Sequence, residues 1–171
     1  IMTVDINKLE QTATQVRRDI LRMLHGCQSG HPGSSLCCAD YFVALYFHAM
    51  KHDPSFNMDG IGEDLFFLSN GHISPVFYST LARAGYFPVS ELSTFRLFGT
   101  RLQGHPRVET GLPGIFQASG SLGQGLSAAA GMAIGKKLDN AQEKVYVMLG
   151  DGECEEGQVW EAAMFASHQK L

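Results

Sequence analysis

The sequence predicts an α/β fold, a parallel sheet flanked by helices. Two observations carry this expectation. Segments with helically spaced apolar residues alternate with two short, wholly apolar runs, DLFFLS at 64–69 and VYVML at 145–149. Such runs suit strands covered on both faces, and the alternation suits a parallel sheet. The 19 glycines cluster at 26–33, 60–71, 99–114, 120–135 and 150–157, between the periodic segments. Glycine serves where the backbone needs positive φ or a close approach, so these clusters read as functional loops.

The elements follow in order. Residues 7–28 place Leu9, Ala13, Val16, Ile20, Met23, Leu24 and Cys27 at helical spacing. Asn7 with Glu10 resembles a capping box, and Gly30 resembles a stop. Residues 35–50 are apolar nearly all round and predict a buried helix. Residues 64–69 predict a strand and 72–84 a helix ended by Gly85. Ser90 is placed to cap a short helix through Phe98. Residues 99–120 have no period, and a loop that long inside a compact domain is usually functional. A helix of small residues over 121–138, a buried strand over 145–149 and a helix over 158–169 complete the chain.

At 171 residues the sequence reads as one domain, 1–171, large enough to bury a core. Hydrophobic residues at 44% and charged residues at 18% suit a soluble globular chain. The net charge of -4 argues against nucleic acid or an anionic membrane as partner. No apolar run reaches the roughly 18 residues of a membrane span. The first residues lack the basic-then-apolar pattern of a secretory signal. Cys27, Cys37, Cys38 and Cys154 show no C-x-x-C spacing, which argues against a zinc or disulfide framework. They are expected as small, mostly buried apolar residues in a reducing cytoplasm.

Chemistry concentrates in the loops. Asp151 follows an apolar strand and lies between Gly150 and Gly152. DG also suits a hairpin, but a helical pattern follows, which favours strand–turn–helix. That geometry presents Asp151 at a strand's carboxyl end, where ligands of open α/β sheets bind. Mg²⁺ is held by one or two carboxylates plus a ligand's phosphate oxygens, and Asp151 suits that role. Of seven histidines, His25, His48, His52 and His168 lack a loop context and are expected to be structural. His31 (SGHPG), His72 (SNGHIS) and His105 (QGHPR) each sit in a glycine loop. Imidazoles there suit a site that holds a diphosphate, orients hydroxyls and moves protons. ASGSLGQGLS, 118–127, is a glycine-rich turn into a helix. It has neither the P-loop lysine nor G-x-G-x-x-G spacing. Glu153, Glu155 and Glu156 precede a helix, where carboxylates are favoured by its dipole.

Taken in order, SGHPG, SNGH, QGHP, GSLGQG and GDGECEEG resemble the diphosphate-binding domain of the transketolase family across residues 29–157. GSLGQGLS and EEGQVWEAAMFA are most similar to the N-terminal subunit of split transketolases. The resemblance implies thiamine diphosphate and Mg²⁺ (or Ca²⁺ in its place) bound between two domains. It implies Asp151 as the metal ligand, with Gly152 N–H and His72 on the diphosphate. His31 and His105 would lie near the thiazolium C2 and touch sugar hydroxyls as the catalytic pair. The Gly120 carbonyl would meet the aminopyrimidine amino group, Leu122 would pack on the ring, and Glu156 would lie near a subunit interface. Ser121, where many relatives have Pro, keeps the turn. Ser121 and Gly150 complete the cofactor-binding set.

The family's further metal ligands lie about thirty residues beyond GDG, and only 20 residues follow Asp151 here. The resemblance therefore implies a domain incomplete at its C-terminus, with the pyrimidine-binding domain and most sugar-phosphate contacts elsewhere. It implies transfer of a two-carbon ketol unit from a ketose phosphate to an aldose phosphate, as in the cytoplasmic pentose phosphate pathway. A partner C-terminal subunit or domain would be needed, in a homodimer or hetero-tetramer. Two alternatives stay open: another thiamine diphosphate enzyme, such as 1-deoxyxylulose-5-phosphate synthase, and a non-catalytic half-enzyme scaffold.

Overall fold

A computed structural model describes residues 4–171. The chain runs α1 (Ile6–Cys27), α2 (Pro32–Cys37), α3 (Ala39–Ala44), β1 (Leu65–Leu68), α4 (Ser74–Arg83), α5 (Gln124–Leu138), β2 (Val145–Met148) and α6 (Gly157–His168). β1 and β2 pair in parallel, Leu65 opposite Val145 through Leu68 opposite Met148. The period of two along β1 sorts its side chains between two layers. Phe66 and Leu68 enter the main core, which α1, α3 and α4 also line. Leu65 and Phe67 face the opposite way, against Ala129 of α5. Helices thus cover both faces of a parallel pair, as the sequence predicts. Phe66 is the centre of the main core, with its ring centroid 5.3 Å from Phe42 and 5.1 Å from Phe77.

One buried ion pair joins α1 to α4. Arg83 approaches both oxygens of Asp19, at 2.5 and 3.0 Å, and Ser79 Oγ donates to Asp19 at 3.0 Å. Asp19 is 4% exposed. A carboxylate there is tolerated only because its lone pairs are engaged. His52 is also structural, contacting the Tyr46 carbonyl through Nε2 at 2.7 Å and the Tyr86 hydroxyl through Nδ1 at 3.1 Å.

Several sequence expectations are corrected. α1 starts one residue early, so its cap is Asp5, which accepts from Lys8 N at 3.1 Å, rather than Asn7. It stops at Gln28, in the left-handed region at φ 50°, before Gly30 is reached. The 35–50 stretch is no single buried helix. It bends at Cys38 between α2 and α3 and ends in a π-helical turn, Leu45–Ala49, and Tyr41 of α3 is 71% exposed. The segment at 90–98 is a 3-10 turn, Val89–Thr94, with no side-chain cap. β2 is half-buried throughout, because no strand among the described residues covers its second edge. None of the cysteines is buried: Cys37 faces solvent and the other three are half-buried.

Candidate functional site

The parallel register brings two loops out at one edge of the sheet. Ser69-Asn70-Gly71-His72 leaves β1 and Gly150-Asp151-Gly152 leaves β2, joined where Ser69 N donates to Met148 O at 3.0 Å. Glu153 ties the loops together. Its buried carboxylate accepts the Ser69 hydroxyl, Gly123 N–H at 2.8 Å and Gly150 N–H at 2.9 Å. Ser69 Oγ in turn accepts Gly125 N–H at 3.0 Å. One carboxylate therefore holds β1, β2 and the entry to α5 at a single point.

Close backbone approach decides which residues fit. A Cβ on Gly71 would lie 2.6 Å from Ser119 Oγ and 3.0 Å from Gly120 N, so only glycine lets the 118–123 loop rest on the β1 loop. Gly120 (φ 149°) and Gly123 (φ 82°) supply the positive φ that turns this loop into α5. That is why the helix begins at Gln124 rather than at 121. A cavity of about 170 Å³ opens here, lined by Ser69, Gln117, Ala118, Ser119, Gly120, Ser121, Gln124 and Gly125.

The three loop histidines converge on this edge. His31 occupies the N-cap position of α2, and its ring centroid lies 5.0 Å from that of His72, edge to face. Partial burial, followed by the charge of His31, holds His72 below the usual imidazole range, while Glu153 and Asp151 pull it back up. His105 is exposed, and its ring lies 3.4 Å from where a Cβ on Gly120 would stand. Its pKa is lowered by desolvation first, then by Arg96, His72 and His31. The His105 loop is fixed from below: Ser74 Oγ donates to Gly104 O at 2.7 Å and Tyr78 OH to Gln103 O at 2.8 Å. Ser119 N donates to Pro106 O at 3.1 Å, joining the His105 loop to the Gly120 loop.

Asp151 has helical φ and ψ (-62°, -52°) at the mouth of a 3-10 turn, Gly152–Glu155, and its side chain is exposed. The hairpin alternative is excluded, since strand–turn–helix is observed. A Cβ on Gly152 would meet nothing within 4 Å, so the space before it is open. Leu122 is half-buried and its carbonyl accepts from Gln158 Nε2 at 3.1 Å. Ser121 lines the cavity, while Glu156 stands apart, exposed, at the N-cap position of α6 without a capping bond.

Sequence reasoning missed Glu153, Ser69, Asn70 and Arg96. Glu153 was indistinguishable from Glu155 and Glu156 by type, and only the fold turns it inward to 2% exposure. Arg96 carried no loop motif, yet it adopts φ 59° and donates from Nη1 to Ser29 Oγ at 2.8 Å. A Cβ on Gly104 would come 2.8 Å from Arg96 Cζ. Arg96 thus lies between the His31 and His105 loops.

Two buried polar atoms on this edge have no partner in the protein, Asn70 Oδ1 and Ser119 Oγ. Orphaned buried groups of this kind call for a partner such as a water, an ion or a polar ligand. With the open space at Gly152 and the free carboxylate of Asp151, the residues fit a diphosphate and an oxygen-seeking cation. Among the described residues no three His, Cys, Asp or Glu side chains converge as a metal cage. A cation at Asp151 would therefore need oxygens from a ligand or water, as Mg²⁺ commonly does.

Fold and site together define an α/β domain with its histidine, aspartate and glycine loops gathered at the carboxyl edge of its sheet, where ligands of open α/β sheets bind. The family described as "Transketolase, thiamine diphosphate binding domain" matches residues 9–171, and the chain belongs to it. It is 42% identical over 163 residues to the 6-deoxy-6-sulfo-D-fructose transketolase subunit SqwG of Clostridium sp. (strain MSTE9), covering 95% of this chain and 58% of that one. It is 41% identical over 167 residues to the transketolase of Mus musculus, covering 97% of this chain and 26% of that one. The solved transketolase from Leishmania mexicana superposes with a TM-score of 0.85 at 33% identity, covering 94% of this chain and 25% of that one. The chain thus spans about a quarter to just over half of these relatives. Among the described residues no helix is long and apolar enough to cross a membrane.

Proposed function

We propose that this chain is the diphosphate-binding part of a transketolase that moves a two-carbon ketol unit from a ketose phosphate to an aldose phosphate. The observation that carries the reading is the convergence of His31, His72, His105, Gly120 and Asp151 on one sheet edge held by Glu153. Bound thiamine diphosphate would supply a nucleophilic carbon and an electron sink. Asp151 would hold Mg²⁺, or Ca²⁺ in its place, beside the diphosphate. Gly152 N–H and His72 would donate to diphosphate oxygens, with Gly150 keeping the turn tight. Gly120 O would accept from the aminopyrimidine, and Leu122 and the Ser121 turn would bound the ring.

His31 and His105 would face the sugar. Partial desolvation and cationic neighbours favour the neutral form of His105, which can accept a hydroxyl proton and give it back. A site that pairs each hydroxyl rejects analogues lacking one, because its own polar groups would be left unpaired. Glu156, exposed beside α6, is free to meet a second subunit. The word "subunit" in the name of the Clostridium relative supports a partner chain that completes the site. We place the complex in the cytoplasm, where the four free cysteines stay reduced.

The test mixes this chain with one supplying a pyrimidine-binding domain, plus xylulose 5-phosphate, ribose 5-phosphate, thiamine diphosphate and Mg²⁺. Ketol transfer that requires both chains and the cofactor supports the reading. Cofactor-dependent condensation of pyruvate with glyceraldehyde 3-phosphate, without ketol transfer, would replace it with a synthase. A complex that forms without binding cofactor would leave a scaffold.

A further inference from the structure

Cys37 ends α2, Cys38 joins α2 to α3, and their Sγ atoms lie 3.8 Å apart. Cys37 is exposed, with Sγ 3.2 Å from Ser34 O. Cys38 is half-buried and packs against the main core. One thiol is therefore anchored and its neighbour is open to solvent. Neither takes part in the sheet edge described above.

Adjacent residues are badly placed for a disulfide. Their Cα atoms are about 3.8 Å apart across a trans peptide, whereas disulfides span about 4.4–6.8 Å. Closing an S–S bond would distort the joint between two helices. Structural zinc is no better served, since it takes four ligands. Among the described residues no third His, Cys, Asp or Glu converges on the pair. The geometry suits one soft atom bridging both sulfurs. With bonds of about 2.3 Å, typical of thiolate to a soft centre, a separation of 3.8 Å needs an angle of about 110° at the bridge.

We propose that Cys37 and Cys38 form a dithiol site for monosubstituted trivalent arsenicals, R–As(OH)₂, which need two sulfurs and no further protein ligand. Two S–H and two As–O bonds break. Two As–S bonds form, and each thiol proton leaves with a hydroxyl as water. Arsenic stays trivalent and neither sulfur is oxidised, so no oxidant is required. Burial, and then the hydrogen bond with Cys37, pushes the Cys38 thiol up to about 11.

The probe is phenylarsine oxide, added to the folded chain in excess glutathione. Intact-mass spectrometry should show a single phenylarsenic adduct, thiol titration should show two fewer free thiols, and 2,3-dimercaptopropanol should remove the adduct. Cys37→Ser and Cys38→Ser should each abolish the glutathione-resistant adduct, while Cys27→Ser and Cys154→Ser retain it. Cys37 is exposed, so Cys37→Ser keeps the fold by circular dichroism and is the deciding variant. An adduct that persists in Cys37→Ser, or one that glutathione strips from the unmodified chain, overturns the proposal.

Discussion

Glu153 and Ser69 stand 84 residues apart in sequence and share a hydrogen bond inside the domain, the hydroxyl donating to the carboxylate. The same carboxylate accepts from Gly123 and Gly150, so it sets the positions of three loops at once. Glu153→Gln keeps the volume but turns an amide N–H toward a donor. The expected loss is about 2 kcal/mol, the cost of a mispaired buried group, or roughly 4–8 °C in Tm for a chain of this size. Thiamine diphosphate affinity should fall with it, because the Gly150 loop and the Gly123 turn lose their shared tie. Calorimetry and a cofactor titration check both. An unchanged Tm would mean that Glu153 is not the tie.

Asp151 makes a different claim. Its side chain is exposed and makes no capping hydrogen bond at the 3-10 turn it precedes, so the fold does not lean on that carboxylate. Asp151→Ala should leave Tm within about 1 kcal/mol of the parent, as surface substitutions do. Mg²⁺-dependent binding of thiamine diphosphate should vanish. Undiminished binding in a Mg²⁺ titration would remove Asp151 from the metal site.

His105→Ala separates catalysis from binding. The ring lies beside Gly120, 3.4 Å from where a Cβ there would stand, and its loop is held by Ser74 and Tyr78. Removing the imidazole should leave the cofactor loop in place. Turnover in the complete enzyme should fall about 100-fold or more, in the range for loss of an acid–base group. Cofactor affinity should change by only a few-fold. Equal losses in turnover and affinity would show that His105 serves binding.

Much of this was legible in the sequence, for physical reasons. The apolar runs at 64–69 and 145–149 are too short for a buried helix and suit strands by length. GDG followed by a helical pattern fixed where Asp151 would stand. The three loop histidines could be named because glycine flanks each one. Glu153 could not, since its role depends on Ser69, Gly123 and Gly150 meeting it in space. Arg96 was invisible for the same reason: its partner Ser29 is 67 residues away. The exposure of Cys37 was missed because residues 35–50 read as one helix. A bend at Cys38 changes which face is covered.

The pH dependence follows from His72 and His105, both held below the ordinary imidazole value of about 6.5. Above that value the rings are neutral in folded and unfolded chains alike, and folding loses nothing. As pH falls below it, the unfolded chain takes up protons that the folded site resists. Stability should therefore decline from about pH 6.5 downward, through the folded-state values, rather than at alkaline pH. For His105 the lesser causes after desolvation are charges, Arg96 first among them. Arg96→Met should thus raise the His105 midpoint while leaving the His72 midpoint nearly unchanged, since Arg96 does not act on His72. Two-dimensional NMR of the imidazole protons, titrated across the acid range, resolves the two rings. A His105 midpoint at or above the ordinary value in the parent chain would refute the desolvated, cation-flanked site. A midpoint that stays fixed in Arg96→Met would take Arg96 out of it.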